Sequence, residues 1–275
     1  IRGDNSFVEM WLDKRIPNEP SGEVLKARDQ LQEKIKQLVC PSGRVLWAGY
    51  WSLDESYCDV ENLLIFNVRL RTFERICGGG VRFERLRGRI APVTAPSGRS
   101  FRHYYRYCFV EVPRCPAGEP AMSFEFQLGS ITKAREVWWF ASDAVTPSSV
   151  RIQGAFGLHI ELGTPGIRNV ASIVKPLLDG IISAMHEESN VDHEAVRRLC
   201  DETKWPPDEV LARLQPKGPV LGTYHFFQLD PRGSVKFHPA DDQCEACTLL
   251  VKPARKPTCS VSVFALQSAR ATSAG

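Results

Sequence analysis

Hydrophobic periodicity in this chain switches between about two and about 3.6 residues in the same order twice, which narrows the folds open to it more than any other feature. In residues 7–13, Val8, Met10 and Leu12 alternate with Phe7, Glu9 and Trp11, the pattern of a strand. After Pro17, Pro20 and Gly22, apolar residues at Val24, Ala27, Leu31, Ile35 and Leu38 mark one face of a helix. Cys40-Pro41-Ser42-Gly43 ends it, and residues 45–53, almost all apolar or aromatic, predict a central strand covered on both faces. Residues 59–73 read as a second helix, Gly78-Gly79-Gly80 as a turn, and residues 81–90 and 102–112 as two further strands.

Residues 113–120 hold three prolines and a glycine, the composition of a linker, and the pattern then restarts. A strand at 123–128, a short helix at 132–142, a strand at 150–162, a helical stripe from Ile173 to Met185, and strands at 244–251 and 259–266 repeat the order. The expected fold is α+β: two tandem β-α-β-α-β-β units, 1–118 and 119–275, with mixed sheets covered by helices. The second unit carries an insertion at about 187–239, with short helices at 193–201 and 207–214, where Pro206-Pro207 fits a helix start and Lys217-Gly218-Pro219 a stop. Pro176 falls within the second unit's second helix, so that helix is expected to start near Lys175.

No run approaches the roughly 18 apolar residues that cross a bilayer, and residues 1–17 lack a signal-peptide layout, so a cytoplasmic protein without membrane contact is expected. Nine cysteines spread over 275 residues do not resemble a disulfide framework. The net charge of +3 is unevenly placed: residues 1–118 carry 19 Lys and Arg against 14 Asp and Glu, and the remainder 16 against 18.

The basic excess concentrates in residues 69–114, with eleven Arg, three Glu and no Lys or Asp. There Phe101, His103, Tyr105, Tyr107 and Phe109 alternate with Arg102, Tyr104 and Arg106, giving a strand one aromatic and one basic face. Arg beside aromatic rings suits phosphate contact and base stacking, which makes Arg82, Arg85, Arg87, Arg89, Arg102, Arg106 and Tyr105 candidates for binding DNA, branched or duplex, or RNA. An aromatic stripe turned to the core with a charged outer face explains the same pattern.

The order of elements, with a carboxylate motif opening the second helix, resembles the RusA-type Holliday junction resolvases. That family cuts branched DNA with Mg²⁺ as a homodimer of units with this order, so the resemblance implies a fused internal pseudo-dimer. The family's motif is D-x-D-N-L, a Lys three residues after the Asn, an Asp four residues after the Lys, and D-D-x-Q before the third strand. The first copy has Asp59-Val60-Glu61-Asn62-Leu63, but Ile65 and Arg69 stand at the Lys and Asp positions. The second copy has Lys175, Asp179 and Asp241-Asp242-Gln243, but Asn169 and Ala171 replace the paired acids and Ser172 the Asn. Mg²⁺ requires clustered hard oxygen ligands, so neither copy holds a complete site and both read as degenerate. The resemblance implies catalytic vestiges at Asp59, Glu61, Lys175, Asp179, Asp241 and Asp242, with Asp59, Glu61 and Asp242 as metal ligands.

Bland roles compete with these. Asp59, Glu61 and Asn62 suit a helix N-terminus, and Asp241 and Asp242 a turn. Cys244-Glu245-Ala246-Cys247 is a lone C-x-x-C whose thiols, on a regular strand, face opposite ways. Three functions follow: a nucleic-acid-associated pseudo-nuclease of duplicated resolvase-like fold; an active Mg²⁺-dependent structure-specific endonuclease that also uses Asp54, Glu55 or Asp179; or an interaction subunit of a bacterial defence or mobile-element complex, contacting a protein through residues 187–236.

Overall fold

In a computed structural model, which describes residues 1–53, 57–87, 95–112, 118–129, 131–146, 150–166, 169–216 and 218–266, the chain is a mixed α+β fold around a nine-stranded sheet. The first elements are β1 (Arg2–Gly3), β2 (Phe7–Leu12), α1 (Gly22–Lys36), β3 (Arg44–Ser52), a π-type turn (Asn62–Phe66), a 3-10 turn (Leu70–Phe73), β4 (Gly80–Arg85) and β5 (His103–Glu111). There follow β6 (Met122–Gln127), α2 (Ala134–Ala144), β7 (Phe156–Thr164), α3 (Ala171–Ala184), β8 (Glu187–Glu188), α4 (His193–Thr203) and α5 (Pro207–Leu214). The last are β9 (Thr223–Tyr224), β10 (Phe227–Leu229), β11 (Val235–Phe237), a 3-10 turn (Asp241–Gln243), β12 (Cys244–Pro253) and β13 (Thr258–Ala265).

The sheet order is β1-β2-β5-β3-β4-β12-β7-β13-β6. Inward from one edge, β2-β5 and β5-β3 are antiparallel and β3-β4 parallel; inward from the other, β6-β13 and β13-β7 are antiparallel and β7-β12 parallel. The halves meet where β4 pairs antiparallel with β12. Gly80 makes that junction possible, because a Cβ there would stand 2.3 Å from the Leu249 carbonyl oxygen.

Alternation of side chains decides which face is covered. Val8 and Met10, Leu46 and Ala48, Tyr105 and Tyr107, and Leu158 and Ile160 all point into one buried cluster with Leu31 and Ile35 of α1, Val137 and Trp138 of α2, and Leu177 and Ile181 of α3. On the opposite face, Ser123, Glu125 and Ser260 are exposed, while Trp11, Trp51 and Tyr104 form a small second cluster beneath Leu86, Ala95 and Phe101. Among the described residues no helix is long and apolar enough to cross a membrane.

Several expected elements differ. The second helix of the first half is replaced by the π-type and 3-10 turns, separated by Arg69 at φ 75°, where a continuous helix cannot pass. The strand expected from residue 150 starts at Phe156. The helix expected near Lys175 starts at Ala171 and carries Pro176 inside it, since Ile173, Val174, Leu177 and Leu178 bury on both sides of the proline. Residues 187–239 also hold strands β8 to β11, too short to show a periodicity.

Candidate functional site

Three segments distant in sequence bring their acids to one lysine. Asp59 and Glu61 lie on the approach to the π-type turn, which the Asn67 amide closes onto the Asn62 carbonyl at 2.7 Å. Asp59 Oδ1 accepts the Asn62 amide at 2.8 Å, so the capping role is present together with the cluster. From beneath, the buried Tyr107 hydroxyl donates to the Leu64 carbonyl at 2.8 Å. The aromatic face of β5 thereby supports the turn from the core.

On α3, Lys175 and Asp179 are four residues apart and share a face. A Cβ on the neighbouring Gly180 would meet Val137 at 2.5 Å, so glycine there lets α3 approach α2 closely. Asp241 comes from the 3-10 turn before β12. Lys175 Nζ stands 3.2 Å from Asp241 Oδ2, 3.4 Å from Asp179 Oδ1, 3.6 Å from Asp59 Oδ2 and 3.7 Å from Glu61 Oε2. Asp242 is half-buried beside them without an ion pair to the lysine among the described residues.

Four carboxylates against one ammonium, with side chains only 5 to 30% exposed, leave excess negative charge in a poorly hydrated place. Burial pushes the Asp59 carboxyl up to about 6, with Asp241 adding repulsion and Lys175 opposing it. Burial likewise raises Asp179 to about 7 and raises Glu61, against the pull of Lys175 in both cases. Burial disfavours the Lys175 charge, but the carboxylates, Asp179 and Glu61 foremost, outweigh it and raise its pKa. Asp242 is raised by burial and then by Asp241.

Two buried oxygens at the site, Glu61 Oε1 and Asn62 Oδ1, have no hydrogen-bond partner among the described residues. The donors are hard oxygens, the chemistry of Mg²⁺ or Mn²⁺ ligation. Among the described residues no three His, Cys, Asp or Glu groups stand close enough to hold a metal as they are, because the carboxylates converge on the ammonium itself. The arrangement gathers hard-oxygen groups around one ammonium, with burial raising the pKa values of Asp59 and Asp179 towards neutrality. The chain matches no family model, no curated protein and no solved structure.

The Arg-rich stretch divides. Tyr105 is fully buried and its hydroxyl accepts the Ile16 amide at 3.0 Å, so its ring is not available to stack on a base. Arg85 is buried and paired at 3.6 Å with Glu245, which also accepts Arg87. Arg82 pairs with Glu84 at 2.8 Å and Arg106 with the buried Glu9 at 3.8 Å, both on the face away from the helices. Arg102 is exposed at the start of β5, whereas Arg89, Asp54 and Glu55 lie outside the described residues.

The two thiols of Cys244-Glu245-Ala246-Cys247 do not face opposite ways. A bulge at Glu245 pairs Cys244 with Phe156 and Cys247 with Leu158, so both turn to the helical side. Burial raises both thiols, which favours their neutral form. The two acidic remnants, each incomplete in its own segment, meet at one lysine, and their complementary losses are the sequence signal for it.

Proposed function

We propose that the chain is a tandem pair of RusA-like β-α-β-α-β-β units sharing one composite site, and that this site is a Mg²⁺-dependent phosphodiester-cleaving centre acting on branched or duplex DNA or on RNA. The observation that carries the reading is the convergence of Asp59 and Glu61 from the first half with Lys175, Asp179 and Asp241 from the second. The mirrored strand order supports the tandem pair, since each half repeats the pairing pattern of the other.

Asp59, Glu61 and Asp241 would hold the divalent cation, with Asp242 at the margin. When bound, such a cation polarises a phosphoryl oxygen and lowers the pKa of a water. Lys175 offers its three donors to a non-bridging phosphate oxygen. Asp179, titrating at about 7, is placed to accept and return a proton near neutral pH.

The interposed ammonium favours a second reading, an impaired nuclease that retains nucleic acid without cutting it. Labelled junction, fork and duplex DNA and RNA, incubated with Mg²⁺ or Mn²⁺ and scored for retention and cutting, separate the two. A composite site requires that Asp59→Ala and Asp179→Ala each abolish all cutting, not half of it. Retention without cutting moves the conclusion to the impaired form. Absence of both defeats the nucleic-acid reading and leaves the interaction subunit contacting a protein through residues 187–236, which pull-down with and without that segment then tests.

A further inference from the structure

We infer a second binding site, a cavity that takes the phosphomonoester of a nucleotide, at a strand end or free. The cavity encloses about 380 Å³ at the end of the sheet where β3 and β4 finish, lined by Lys14, Arg15, Arg85, Arg102, His103 and Tyr50. Cys58 also lines it, and its sequence neighbour Asp59 belongs to the acidic cluster, so the two sites adjoin.

Charge selects the ligand. Arg85, with a side chain only 4% exposed, is neutralised by Glu245, and Asp13 at the rim is taken by Arg99. Lys14, Arg15 and Arg102 are exposed and form no ion pair with a carboxylate among the described residues. Three cations without a carboxylate partner among the described residues, set around one concavity, exceed the single charge of an internal phosphodiester and suit the near-dianion of a terminal phosphate. The volume is that of a small-molecule site, large enough for a nucleoside attached to the phosphate. Tyr50, its ring buried in the core, is fixed at the wall by its hydrogen bond with His103 Nδ1 at 2.8 Å.

The substrate class rests in part on the nucleic-acid reading above, whereas the phosphate preference does not. The test is calorimetric titration of the full chain, with chelator present to stop cutting, against one oligonucleotide bearing a 5′-phosphate, a 3′-phosphate or only hydroxyl ends, and against thymidine monophosphate. A phosphorylated end is expected to bind about tenfold more tightly than a hydroxyl end. That preference should vanish in the Arg15→Gln/Arg102→Gln double variant and persist in the charge-matched Lys26→Gln/Lys36→Gln control. Both variants are checked for an unchanged unfolding midpoint. If the mononucleotide competes as well as the strand end, free nucleotide is the source; if only the oligonucleotide binds, a strand end is. Equal affinity for phosphorylated and hydroxyl ends, or a preference that survives Arg15→Gln/Arg102→Gln, overturns the site. An end preference without any cutting leaves the pocket and removes the nuclease; cutting without end preference does the reverse.

Discussion

Lys175 Nζ lies 3.6 Å from Asp59 Oδ2, although α3 and the approach to the π-type turn belong to opposite halves of the sheet. Among the described residues the lysine is the single cation within ion-pair distance of the four carboxylates, so removing it leaves their charge uncompensated. Lys175→Met is expected to lower stability by about 3–5 kcal/mol at pH 8. At pH 5 the loss should shrink, because carboxyls with raised pKa values take up protons in place of the ammonium. Urea unfolding at both pH values measures this, and an equal loss at both would show that the lysine acts by packing rather than charge.

Asp179 titrates at about 7 in the folded chain and near the ordinary 3.9 when unfolded. A carboxyl raised on folding contributes stability that is complete below the unfolded value and is lost as pH climbs through the folded one. Its contribution therefore disappears between about pH 4 and pH 7. Asp179→Asn keeps a neutral group throughout, so the variant should gain on the parent as pH rises, by about 1–3 kcal/mol at pH 8 after allowance for partial solvation. Thermal unfolding of both proteins across this range checks the sign, and a difference that does not vary with pH would be inconsistent with the raised carboxyl.

A divalent cation should relieve the same repulsion. At ten times its Kd, Mg²⁺ is expected to stabilise the chain by about 1.4 kcal/mol, a rise of about 2–3 °C in Tm. Binding at pH 6.5 should release protons from Asp179 and Glu61, which a pH indicator in weak buffer detects. Glu61→Gln should abolish the shift. A shift that survives in this variant would place the cation elsewhere.

The elements whose residues alternate or recur at helical spacing were legible in the sequence: β2, α1, β3, β5, β6 and the stripe of α3 all fall where the pattern puts them. What escaped it has physical causes. The π-type turn is decided by tertiary anchors such as Tyr107 to Leu64, which lie far apart in sequence. The bulge at Glu245 reverses the facing of Cys244 by adding one residue to the strand, and nothing in the local composition marks it. The site residues were each visible, but their union depends on the β4-β12 junction, which strand propensity does not specify. The basic cavity was missed because Lys14 and Arg15 follow β2 while Arg102 precedes β5, and only the pairing of those strands joins them.

Residues 187–239 pack on α2 through an aromatic stack, while β11 of the same segment lines the pocket beside Lys175 and Asp179. Trp205, between α4 and α5, lies on Trp139 of α2 with ring centroids 4.0 Å apart, and the Arg213 guanidinium covers Trp139 at 3.6 Å. Arg213 is held in turn by Asp143 at 2.6 Å. Trp205→Ala should cost about 2–3 kcal/mol, less than a fully buried tryptophan because its ring is only half-buried. The loss should be local: hydrogen exchange is expected to quicken in α4 and α5, while β4 and β12 keep their protection, since they pair with each other and not with residues 187–239. The Mg²⁺-dependent Tm shift should also persist, because Asp59, Glu61 and Lys175 touch neither tryptophan. Equal loss of protection in the central strands would show that this segment is part of the cooperative core rather than a platform fastened to α2.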